Sequence, residues 1–105
     1  MKKILALILA LAMALCLGAC GKEKPDTEYI KDNGKMVIGI TLFAPMNYYD
    51  ANNNLIGFET EFAEAVCDKL GYTPEFVEIN WDTKFVTLDS KKIDCIWNGM
   101  TISDE

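Results

Sequence analysis

The apolar positions come in one unbroken run and then in short, patterned groups. Ile4 to Leu17 is almost wholly Ala, Leu, Ile and Met behind a basic Met1-Lys2-Lys3. That run suits the core of a signal peptide and is short for a membrane span. Beyond a polar stretch, Glu28-Tyr29-Ile30-Lys31-Asp32 predicts a short helix, capped by Asp26 or Thr27 and ended by Asn33-Gly34. Lys35 to Gly39, with Met36-Val37-Ile38 at its centre, predicts a first strand. Residues 40–47 predict a loop containing Phe43-Ala44-Pro45. Asn47 to Asp50 and Leu55 to Gly57 flank an Asn cluster that tolerates positive φ, which predicts a β-hairpin.

Phe58 to Leu70 carries the clearest helical period. Phe58, Phe62, Ala65-Val66 and Leu70 fall on one face, read as the core face, and Glu61, Glu64 and Asp68 on the other. Glu59 and Glu61 suit its N-terminal dipole, Lys69 its last turn, and Gly71 stops it. Thr73 to Ile79 predicts a second strand. Asp82 is placed to cap a helix over Thr83 to Leu88 with Phe85 and Leu88 facing in. Ile93 to Trp97 predicts a third strand with both faces covered. Asp104 and Glu105 stand where another helix would begin.

Strands alternating with helices imply an α/β fold with a mainly parallel sheet and right-handed crossovers. Ligands of such sheets sit at the carboxyl ends of the strands. Three loops converge there, carrying Phe43, Trp81 and the group Asn98, Gly99, Met100 and Thr101. Two aromatics beside a polar backbone turn suit a small ligand with an anionic head and a partly apolar body. An ordinary strand-to-helix loop, with Phe43 and Trp81 in the core, would use the same residue types.

Composition removes several chemistries. The chain has 10 basic and 16 acidic residues, and loss of Lys2 and Lys3 with the signal brings the net charge from −6 to −8. That argues against a nucleic-acid partner and against charge-driven binding to anionic lipid. There is no His and no Arg, so no Ser-His-Asp machinery, no His-based metal site and no bidentate carboxylate clamp is available within it. The residues call for no cofactor. The acidic face of the long helix reads as a solvated face. Cys67 and Cys95 sit among apolar residues and read as buried core thiols, with a disulfide between them the alternative that an extracytoplasmic location permits.

Leu17-Gly18-Ala19-Cys20 resembles a bacterial lipobox, a bulky residue and two small ones before the cysteine that carries the lipid. This implies a signal peptide over 1–19 and a lipidated N-terminus and tether over 20–27. Two or more acyl chains hold a protein stably at a membrane surface.

Met36 to Glu105 resembles the first lobe of family 3 bacterial extracellular solute-binding proteins, the polar amino-acid receptors of ABC importers. The matching motifs are Val37-Ile38-Gly39 with Phe43-Ala44-Pro45, Leu55-Ile56-Gly57-Phe58-Glu59-Thr60-Glu61-Phe62-Ala63, Asn80-Trp81-Asp82, and Ile93-Asp94-Cys95-Ile96 with Asn98 to Glu105. The resemblance implies a type II periplasmic-binding-protein-like fold, with residues 28–105 as part of the first lobe and the second lobe absent. Phe43 would pack on the ligand side chain and Trp81 would form a second wall. Asn98, Gly99 and Thr101 would hold the α-amino and α-carboxylate groups, with Met100 in the same floor. Two positions depart from the family. Where many relatives have an Asp that pairs with a cationic side chain, this chain has Ile40, which favours a polar or neutral amino acid. The family's carboxylate-binding Arg would follow Glu105. The implied function is extracytoplasmic, lipid-anchored capture of a free amino acid for an ABC permease, incomplete in residues 20–105 alone. A periplasmic dehydratase of prephenate or arogenate and a ligand-sensing ectodomain are the alternatives on the same fold.

Overall fold

The structure, a computed structural model, describes residues 1–17, 21 and 23–103, without the side chains of 14–17. The predicted lipidation site Cys20 and the predicted helix start at Asp104 and Glu105 lie outside the described residues. The elements in order are α1 (Lys2–Leu17), α2 (Asp26–Asn33), β1 (Lys35–Ile40), β2 (Tyr48–Tyr49), β3 (Leu55–Ile56), α3 (Phe58–Leu70), β4 (Thr73–Glu78), a 3-10 turn (Trp81–Thr83), α4 (Lys84–Asp89) and β5 (Cys95–Ile96). Residues 2–13 of the first helix are exposed. Among the described residues, no helix is long and apolar enough to cross a membrane.

The three longer-range strands form a parallel sheet in the order β4-β1-β5, and β2 and β3 form a separate antiparallel hairpin. In the central strand Ile38 lies level with Phe76 on one side and Cys95 on the other; Gly39 lies level with Val77 and Ile96. Alternation along β1 sends Ile38 and Ile40 to one face, where both are buried with Ala63 and Cys67 of α3. Gly39 points to the other face, where a Cβ would come within 2.7 Å of Ile93 Cδ1 and 3.2 Å of Ile79. Both faces of the central strand are therefore filled by isoleucines and small helical residues.

The long helix has the predicted ends but not the predicted orientation. Thr60, Ala63 and Cys67 are its buried positions, while Phe58, Phe62 and Leu70 are 65%, 52% and 55% exposed. Small side chains let the helix lie close on Ile38 and Ile40. The large ones are displaced to its flank. There Phe62 meets Trp97 edge-to-face at 5.5 Å and Phe58 at 6.2 Å, and the Trp97 indole N–H donates to Glu59 Oε2 at 2.7 Å. A 3.6-residue apolar stripe locates a helix, but here the tighter seam won the sheet.

Four other expectations change in detail. The third strand is shorter than Ile93 to Trp97 and lies at the edge of the sheet. Cys95 and Ile96 are half-buried, although Asp94 and Trp97 still donate backbone bonds to the carbonyls of Val37 and Gly39. The Asp94 carboxylate accepts the Val37 N–H at 2.7 Å, a side chain taking the place of a ladder carbonyl. Asn80, not Asp82, caps the turn before α4: its side chain accepts the Asp82 N–H at 2.9 Å. Phe85 is 57% exposed instead of facing in. The second helix starts at Asp26 with Pro25 before it and no side-chain cap. The preceding polar stretch is tied to the domain by exposed ion pairs, Lys24–Asp32 at 2.6 Å and Lys91–Glu23 at 3.0 Å. The hairpin turn behaves as expected. Asn53 takes a positive φ of 64°, and the Asp50 side chain accepts from the backbone N–H and side-chain amide of Asn54 and from the backbone N–H of Asn52, which holds its carboxyl below the usual carboxylate range.

The loop after β1 and the start of α3 are built as one piece. Phe43 and Asn47 exchange backbone hydrogen bonds of 2.8 and 2.9 Å. The Pro45 and Met46 carbonyls accept the first two N–H groups of α3, from Phe58 and Glu59, at 3.1 and 3.0 Å. Asn47 is fully buried, and its Oδ1 accepts from the Thr60 hydroxyl at 2.9 Å. Gly57 makes this closeness possible, at φ 127° with no room for a Cβ beside the Met46 carbonyl or the Pro45 oxygen 2.8 Å away.

Gly57→Ala is expected to lower stability by about 3 kcal/mol, from backbone strain plus the carbonyl clash; urea denaturation measures it. Burial pushes the Cys95 thiol up to about 11, with the Asp94 charge adding to it. The folded state thus holds this proton more tightly than an unfolded chain, whose thiol titrates near about 8.5. The contribution is complete below that pH and is lost as pH rises through the folded value. The melting temperature is expected to fall between these two pH values, and less steeply in Cys95→Ala.

Candidate functional site

Because β4, β1 and β5 run parallel and in register, their carboxyl ends open at one level. Three segments leave there. Thr41, Leu42 and Phe43 follow β1; Trp81, Lys84 and Phe85 follow β4; Asn98 to Thr101 follow β5. Together they line one cavity of about 630 Å³. All six sequence-predicted ligand residues, Phe43, Trp81, Asn98, Gly99, Met100 and Thr101, border it.

Phe43 is 66% exposed, so it stands at the rim rather than in the core. Its position is fixed through its backbone pairing with Asn47 and, through Asn47, by Thr60. Trp81 is half-buried at the start of the 3-10 turn that Asn80 caps. Asn98 is half-buried, and its side-chain amide donates to the Thr41 hydroxyl, joining the loops after the two neighbouring strands. Gly99, Met100 and Thr101 are exposed toward the opening. The floor therefore presents an amide, a hydroxyl and backbone groups, and the walls present aromatic rings.

Lys84, which sequence reasoning passed over, is the one ionisable side chain lining the cavity among the described residues. Its ammonium lies 4.4 Å from the centroid of the Trp81 ring and 4.7 Å from that of Phe85, and it donates to the Trp81 carbonyl at 3.2 Å. Such cation–π contacts are worth about 0.5–2 kcal/mol each, depending on desolvation. Its spacing from Trp81, three residues on within one helical turn, was the available signal. Thr41, Leu42 and Phe85 were also missed as lining residues. Ile40 is 1% exposed and packed in the core, so it supplies neither charge nor surface to the cavity. Among the described residues no group of three or more His, Cys, Asp or Glu side chains comes together as a metal set.

Comparison with known proteins agrees with the resemblance read from the motifs. The chain is 34% identical over 104 residues to the L-cystine-binding protein TcyJ of Escherichia coli K12, covering 95% of this chain and 39% of that protein. The chain therefore spans about two-fifths of that relative's length. Among solved structures, the arginine-bound form of domain 1 from TmArgBP superposes with a TM-score of 0.67 at 34% identity, over 72% of this chain and 61% of that one. The ancestral amino acid-binding protein AncCDT-1, described as a precursor of cyclohexadienyl dehydratase, gives a TM-score of 0.69 at 31% identity, over 73% and 34%. These neighbours share the type II periplasmic-binding-protein fold, of which this chain supplies a partial parallel sheet flanked by helices. Residues 36–105 match the bacterial extracellular solute-binding proteins, family 3, and the chain belongs to that family.

Proposed function

We propose that the full-length protein captures a free amino acid outside the cytoplasm and delivers it to an ABC importer permease. In this reading residues 1–19 are a signal peptide, residues 20–27 a tether lipidated at Cys20, and residues 28–105 part of the first lobe. The observation that carries the proposal is the convergence of Phe43, Trp81 and Asn98 to Thr101 on one cavity at the strand ends. The rings offer apolar surface for a ligand side chain, and the Asn98–Thr101 segment offers polar groups for an amino acid's charged head. Relatives named for binding cystine and arginine support the same class of ligand.

The likeness to a dehydratase precursor favours a second reading, an enzyme acting on a prephenate-type acid. Against it, no carboxylate or imidazole lines the cavity among the described residues to take a proton from such a substrate.

Titration calorimetry of the full-length protein against the amino acids and cystine, with prephenate and arogenate turnover followed in parallel, separates the two. Binding without turnover is expected; turnover, or no binding at all, defeats the proposal. Phe43→Ala and Trp81→Ala are each expected to weaken binding at least tenfold, about 1.4 kcal/mol, with little change in melting temperature. Radiolabelled palmitate is expected to enter the wild-type protein and not Cys20→Ala.

A further inference from the structure

The aromatic walls of the cavity already hold a cation. The Lys84 ammonium lies over both the Trp81 and Phe85 rings, and its hydrogen bond to the Trp81 carbonyl fixes it there. An ammonium has three donors, and that carbonyl takes one, so donors remain for a ligand in the cavity. The other groups on this wall are neutral, and no carboxylate borders the cavity among the described residues.

We propose that Lys84 sets the charge preference of the site, so that the amino acid taken has a neutral or anionic side chain and cationic ones are rejected. The proposal rests on the amino-acid-binding reading above. Two effects act in the same direction. A guanidinium or ammonium entering this wall meets a like charge at contact distance, and no carboxylate lining the cavity among the described residues offsets it. It also finds the ring faces that would attract it shared with a resident cation. A side-chain carboxylate or amide oxygen instead meets a positioned donor. Phe43, exposed at the rim, then serves the apolar part of the ligand rather than its charge.

The test compares full-length wild type with Lys84→Met, Lys84→Glu and Lys84→Arg by calorimetry against L-glutamate, L-glutamine, the best neutral amino acid found, and L-arginine. Wild type is expected to bind a neutral or anionic ligand at least tenfold more tightly than arginine. Lys84→Met, which keeps length and removes charge, is expected to reduce that ratio at least fivefold; Lys84→Glu reduces it further, and Lys84→Arg preserves it. The ratio of affinities is the readout, because a general loss of structure weakens all ligands together. A wild type that prefers arginine or lysine overturns this inference and leaves amino-acid binding standing. So does a ratio unchanged within twofold in both Lys84→Met and Lys84→Glu. A wild type that binds no amino acid overturns the functional reading and this inference with it.

Discussion

The parallel register of one strand governs the rest. Lys35 to Ile40 is paired along its length with β4, and Ile38 and Gly39 also with β5, so Gly39 lies level with Val77 in one neighbour and with Ile96 in the other. Because all three strands point the same way, the residues that follow them leave the sheet at one height. Thr41, Trp81 and Asn98 become neighbours although nearly sixty residues separate the first from the last. The Trp97 N–H bonded to the Gly39 carbonyl and the Ile79 N–H bonded to the Ile40 carbonyl hold this level to the last ladder position. A slip of one residue would turn Ile38 and Ile40 out of the core and move the cavity floor with them. The cavity and the core packing thus depend on the same register.

A second joint places the rim. The loop carrying Phe43 closes on Asn47, whose buried side chain accepts from Thr60, and its carbonyls cap the first turn of the long helix. The loop carbonyls of Pro45 and Met46 satisfy the first two donors of the helix. Gly57 is the steric condition for that exchange. A rim ring that is two-thirds exposed is thereby fixed from below by groups that are fully buried.

Much of this was legible in the sequence because local rules and global fold agree over most of the chain. The helix bounds at Phe58 and Leu70, the positive-φ asparagine in the hairpin and the three loops around the cavity follow from spacing, turn chemistry and strand order. The orientation of the long helix was not legible. Hydrophobicity alone prefers the stripe with Phe58 and Phe62, whereas close packing on Ile38 and Ile40 needs Ala63 and Cys67, and Thr60 is buried beside them on its bond to Asn47. The same blindness hid Phe85, read as core and found at the cavity. Lys84 was missed because a lysine on a short helix is usually solvated; only the folded structure puts its ammonium over two rings.

The net charge of the chain and the charge of its cavity have opposite signs, and distance decides which matters to a ligand. The acidic excess is spread over the surface, on residues such as Glu61, Glu64 and Asp68 of the exposed helix face. At physiological ionic strength such charges are screened beyond about 8 Å, so they bias the approach of a small ion only weakly. A ligand in the cavity is within contact distance of Lys84, well inside the screening length that weakens the surface charges. Long-range attraction by an acidic protein would favour arginine; the short-range field at the walls opposes it. Since bound-state discrimination is a difference in contact energies, the local ammonium outweighs the global charge.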